Sequence, residues 1–179
     1  MVVTLLATPF DDPARQRQFE QLETALQAED SAPATVLLGN LAALVDLEAD
    51  ALVVRATGVA LLVLPPQAGH LTIPALTYGQ WLLNEEPVPS RLGADNPFTL
   101  YQQQQAKAVA WLAAQLGLPP AELPCRGLAL FEGPLSFGPE AEGHLHRWAA
   151  ARQFELLGGA ERVPTWLNQQ FATTPELLP

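Results

Sequence analysis

Two nearly uninterrupted apolar runs, Ala51-Leu52-Val53-Val54 and Val59-Ala60-Leu61-Leu62-Val63-Leu64, stand on either side of a turn at Ala56-Thr57-Gly58. A strand with one wet face alternates polar and apolar residues, whereas these runs have no polar side to offer water. Both are therefore expected in a sheet covered on both faces. A sheet buried twice needs helices above and below it, so the class expected is α/β.

The rest of the chain supplies such helices. Asp12 before Pro13 is an N-cap followed by a first-turn proline, and Phe19, Leu22, Ala25 and Leu26 recur at helical spacing, which predicts an amphipathic helix over 13–27 that opens the fold. A second helix starts at Asn96-Pro97, carries Phe98, Tyr101, Ala108, Trp111 and Leu112 on its apolar face, and stops at Gly117-Leu118-Pro119-Pro120. Strands are expected over 35–38, 51–55, 59–64 and 126–131, a hairpin or edge pair at 71–73 and 80–83, and helices over 142–157 and 164–171. Gly158-Gly159 reads as the stop of the first of these last two helices. Residues 1–171 are expected to form a single domain, with 172–179 a tail or linker.

Charge narrows the function classes. The 179 residues carry a net charge of −10, with eight arginines and a single lysine, Lys107, so the surface as a whole should repel phosphate backbones. Nucleic acid is disfavoured as a partner on that ground. Cys125 is the only cysteine, which rules out an internal disulfide and any multi-cysteine metal site. The longest apolar run is too short to cross a bilayer and the first dozen residues have no basic leader, so a cytoplasmic protein is expected.

Landmarks along the central segment follow an order: Glu48-Ala49-Asp50 leading into a strand, Gly58-Val59 opening the next, Gly69, Trp81, and Asn96-Pro97 opening a helix. In order and spacing this resembles the nuclease-related domain (NERD) family of the PD-(D/E)XK nuclease superfamily. The resemblance implies a restriction-endonuclease-like fold, a mixed central sheet flanked by helices. It also implies an acid, one spacer and a Lys on the second strand, where this chain reads Val63-Leu64-Pro65, and a Gln where it has Leu100. The scaffold landmarks are present and the catalytic pair is not.

Metal-dependent phosphodiester hydrolysis needs two or more carboxylates around a hard cation and a Lys near the attacked phosphate. Asp50 is the candidate metal ligand, and the resemblance implies a first-helix acid, for which Glu20 and Glu23 are available. Lys107, on the Asn96-Pro97 helix, is the one residue that could replace the missing lysine; its other reading is a solvated helix residue. The favoured reading of Asp50 is nonetheless a turn or strand-start carboxylate that accepts backbone or arginine hydrogen bonds. Mg²⁺ or Mn²⁺ enters only if a migrated site of this kind is active.

Other chemistry-bearing residues have plainer readings. His144 and His146 open an expected helix, which would splay a metal-binding His-x-His pair, so surface or capping roles are favoured. Cys125 is expected to be a buried inert thiol. Trp81, Trp111, Trp148 and Trp166 are dispersed in apolar patterns and read as core or interface anchors. The expected function is a degenerate, non-catalytic nuclease-related domain serving as a binding or regulatory module, with a protein partner or self-association. The alternatives are a metal-dependent nuclease with a migrated site and a structural or oligomeric protein with only architectural likeness.

Overall fold

The computed structural model describes residues 1–29, 33–89, 92–138, 141, 145 and 153–172. Its centre is a six-stranded mixed sheet of β1 (Val2–Leu6), β2 (Thr35–Gly39), β3 (Ala51–Arg55), β4 (Gly58–Val63), β8 (Cys125–Phe131) and β10 (Phe154–Gly158), in the spatial order β1-β2-β3-β4-β8-β10. β3 is antiparallel to both neighbours; the outer pairs β1·β2, β4·β8 and β8·β10 are parallel. Every residue of β3 and β4 is buried, as two-sided covering requires.

The apolar side chains of these strands divide by alternation into two cores. Ala51, Val53, Ala60, Leu62, Leu128 and Leu130 face α1 (Pro13–Gln27) and the last helix, α4 (Val163–Phe171), meeting Phe19, Leu22, Leu26, Trp166 and Leu167. Leu52, Val54, Leu61, Val63, Ala129 and Phe131 face α3 (Pro97–Leu116), with Phe98, Tyr101, Ala108 and Leu112. α1 and α3 thus lie on opposite faces of the sheet. A short helix, α2 (Ala42–Val45), joins β2 to the approach to β3.

A second sheet, in the order β7-β6-β5-β9, is made of β5 (Gly69–Thr72), β6 (Leu82–Leu83), β7 (Glu86–Pro87) and β9 (Leu135–Phe137). It adds Leu71 and Leu83 to the α3-side core, joined by Trp81 just before β6. β5 and β6 pair antiparallel, as the expected hairpin at 71–73 and 80–83 requires, although β5 starts two residues earlier and β6 is cut to Leu82–Leu83.

Two expectations fail. A strand, not a helix, opens the fold: β1 runs parallel to β2, with Val2 beside Thr35. The segment expected to end a helix over 142–157 is strand β10 from Phe154, with Leu157 beside Leu130 of β8. Its Gly158 is required by packing, since a Cβ there would lie 2.4 Å from the Gly133 carbonyl oxygen. The remainder of that expected helix, with His144, His146 and Trp148, and the tail from 173 onward lie outside the described residues, apart from positions 145 and 153.

Candidate functional site

Asp50 immediately precedes β3 and is held there by its own backbone: its N–H donates to the Leu62 carbonyl at 3.0 Å and its carbonyl accepts from the Asn40 N–H at 3.0 Å. The side chain is 1% exposed. Its Oδ2 accepts a 2.7 Å hydrogen bond from the Leu64 N–H, one residue past β4, and its Oδ1 lies 3.4 Å from Arg15 Nε. Arg15 Nε also approaches the Leu64 carbonyl at 3.4 Å. A guanidinium and a peptide N–H are among the groups that face the buried carboxylate, which joins the first turn of α1 to the end of β4.

Gln18, one turn further along α1, is also buried and donates from Nε2 to the Leu130 carbonyl at the end of β8, while its Oε1 has no hydrogen-bond partner. Arg15 and Gln18 reach adjacent parallel strands, because β4 pairs with β8 in a register that sets Val63 beside Ala129. The result is a polar seam between a helix start and two strand ends, set in an otherwise apolar layer.

The other candidates do not join this seam. Glu20 is exposed on α1 and accepts from Gln16 Nε2 at 2.9 Å; Glu23 accepts from Gln27 Nε2 at 3.2 Å. Both serve as ordinary i,i+4 surface partners. Lys107 is on α3, across the sheet from α1, and its ammonium is bound to the carbonyl and carboxylate of Asp46. Val63, at the position of the missing acid, is buried in the α3-side core, so a carboxylate there would enter apolar surroundings. Among the described residues no three His, Cys, Asp or Glu side chains gather as a group able to hold a metal ion.

The landmark residues have structural roles. Trp81 is fully buried and donates its indole N–H to the Ala75 carbonyl at 3.1 Å. Asn96, also fully buried, caps α3 by accepting from the Thr99 N–H at 2.9 Å, and its Nδ2 donates to the Gly79 carbonyl at 3.0 Å. Gly69 has φ +137°, and a Cβ there would strike the Asn84 side chain. Within the glutamine run 102–105, Gln104 is buried and its Oε1 accepts from the Glu48 N–H at 3.1 Å, tying the Glu-x-Asp segment to α3. Cys125 is buried, and burial pushes its thiol up to about 12, with nearby Arg126 acting in the opposite direction.

Neither Arg15 nor Gln18 lies in a motif that marks it as functional in the sequence. A signal exists: Arg15, Gln18, Phe19, Leu22 and Leu26 share one helical stripe, so two polar residues fall in phase with the buried face. A polar residue on such a stripe has to find an internal partner.

Among the described residues no helix is long and apolar enough to cross a membrane. No protein-family model matches the sequence, and neither a curated protein nor a solved structure does.

Proposed function

We propose that this chain is a non-catalytic domain of restriction-endonuclease-like architecture, degenerate relative to the nuclease-related pattern, that works as a binding or regulatory module. The observation that carries this reading is the clamp of Arg15, Asp50 and Leu64. A catalytic carboxylate must offer its lone pairs to a divalent cation, whereas the oxygens of Asp50 are directed at a peptide N–H and a guanidinium. Bringing in Mg²⁺ would set a dication against Arg15, and among the described residues no group of acids gathers there to offset the repulsion. The clamp acts instead as a cross-brace between α1 and the β3–β4 hairpin.

A migrated site built on Asp50, Glu20 or Glu23, and Lys107 is disfavoured because α1 and α3 cover opposite faces of the sheet and Lys107 is engaged with Asp46. The net charge of −10 makes a protein surface the better partner class than a phosphate backbone.

The test is calorimetric titration with Mg²⁺ and Mn²⁺ beside incubation with labelled single- and double-stranded DNA and RNA. Neither binding heat nor cleavage is expected. Metal-dependent cleavage by the wild type that disappears in Asp50→Asn would overturn the reading and make the protein an enzyme.

A further inference from the structure

Among the described residues β1 is an edge of the six-stranded sheet and pairs only with β2. Natural edge strands are usually guarded by a charge, a proline or a bulge, because their unpaired N–H and C=O groups will pair with any strand that fits. Val2–Leu6, with the sequence VVTLL, has none of these, and no charged side chain occurs before Asp11. Met1, Val3 and Leu5 project on the same side and are 82%, 42% and 58% exposed.

The ladder phase fixes which main-chain groups are unpaired. The Thr35 N–H donates to the Met1 carbonyl and the Ala7 N–H to the Gly39 carbonyl, so odd-numbered residues turn their peptide groups toward β2. By alternation, Val2, Thr4 and Leu6 turn theirs outward. Thr4 lies at the middle of that outward set, and its Oγ1 is buried with no hydrogen-bond partner.

We infer that β1 is a self-association edge, pairing antiparallel with β1 of a second copy about a two-fold axis through Thr4. That register makes Thr4 face Thr4 and Val2 face Leu6 as hydrogen-bonded pairs, and sets Val3 against Leu5 as close non-hydrogen-bonded pairs. In this register apolar residues of one copy meet apolar residues of the other, and the outward peptide groups of Val2, Thr4 and Leu6 all find partners. Two copies each carrying −10 repel over most of their surface, and an uncharged edge is where they can approach. Five paired residues make an interface smaller than the standard size, so the dimer is reversible and concentration-dependent.

Sedimentation equilibrium over a range of protein and salt concentrations tests this. The wild type should move from 19.3 kDa toward twice that mass as concentration rises, and added salt should strengthen the dimer by screening. Leu5→Lys, at an exposed position, should remain monomeric with an unchanged thermal midpoint. Thr4→Pro removes one outward N–H while leaving the bonds to β2 intact, and should also abolish the dimer. The register has its own readout: an oxidised mixture of V3C and L5C should form a disulfide-linked heterodimer that neither variant forms alone. A wild type that stays monomeric at every concentration would overturn the inference and leave the edge to a strand of some other protein. A dimer that survives both Leu5→Lys and Thr4→Pro would overturn it as well.

Discussion

Arg15 with Asp50 and Lys107 with Asp46 are both a cation facing a carboxylate, yet their energetic weights differ because their burial does. The side chains of the first pair are 18% and 1% exposed, those of the second 44% and 87%. Arg15→Ala removes a cation from beside a buried carboxylate and should cost about 2–3 kcal/mol. Lys107→Ala removes a surface pair and should cost less than about 0.5 kcal/mol. Urea unfolding of the two variants checks the ranking, and equal losses would contradict it. Cys125 supplies a pH dependence at the same scale. Its thiol keeps its proton in the native state up to about 12, while in the unfolded chain it ionises near 8.5. The stability linked to this group is therefore fully present below the unfolded value and is lost as pH rises toward the folded one, by at most about 1.4 kcal/mol per pH unit. Tyr101, also pushed up by burial, adds a loss of the same sign at higher pH. Cys125→Ala should flatten the fall in urea midpoint between pH 9 and 10.

Among the elements, those with local start and stop signals are legible in the sequence. α1 has Asp12 at its cap, accepting from the Ala14 N–H at 2.9 Å, followed by Pro13; α3 has Asn96, Pro97 and a left-handed Gly117 at its end. Asn96 does more than cap, since it also holds the Gly79 loop from a fully buried position. Asn96→Ala should cost about 2 kcal/mol in thermal or urea unfolding, while Asn96→Asp, which keeps the acceptor, should recover part of it. β1 is not legible, because a five-residue run with two outward apolar residues lacks the alternation of a half-buried strand. β10 is masked by its glycines. Gly158-Gly159 resembles a helix stop, but Gly158 is needed where the Gly133 carbonyl packs against it, and Gly159 has φ +90°. Asp50 is visible from its place before an apolar run; Arg15 is not, since its partner is 35 positions away and only the tertiary fold brings the two together.

Across the whole molecule, the end of the sheet opposite Asp50 is tied by another buried cation. Arg55 donates to Thr35 Oγ1 on β2 at 3.1 Å, to Asn168 Oδ1 on α4 at 2.6 Å and to Glu29 Oε2 beyond α1 at 2.8 Å. Burial lowers its pKa and Glu29 opposes that shift. Three partners in three directions suit a planar fork and not an ammonium, so Arg55→Lys should lose about 2 kcal/mol of stability in urea despite keeping the charge. The order of the strands also has a kinetic side. β3 and β4 meet across a two-residue turn, whereas β4 meets β8 in parallel with Val59 beside Cys125, after the chain has passed through the second sheet and α3. Closing that longer loop costs entropy before any contact rewards it. The hairpin is therefore expected to form first, with the docking of β8 setting the refolding rate. Substitutions at the β4–β8 join should slow refolding, while those at the outer strand β10 should chiefly quicken unfolding.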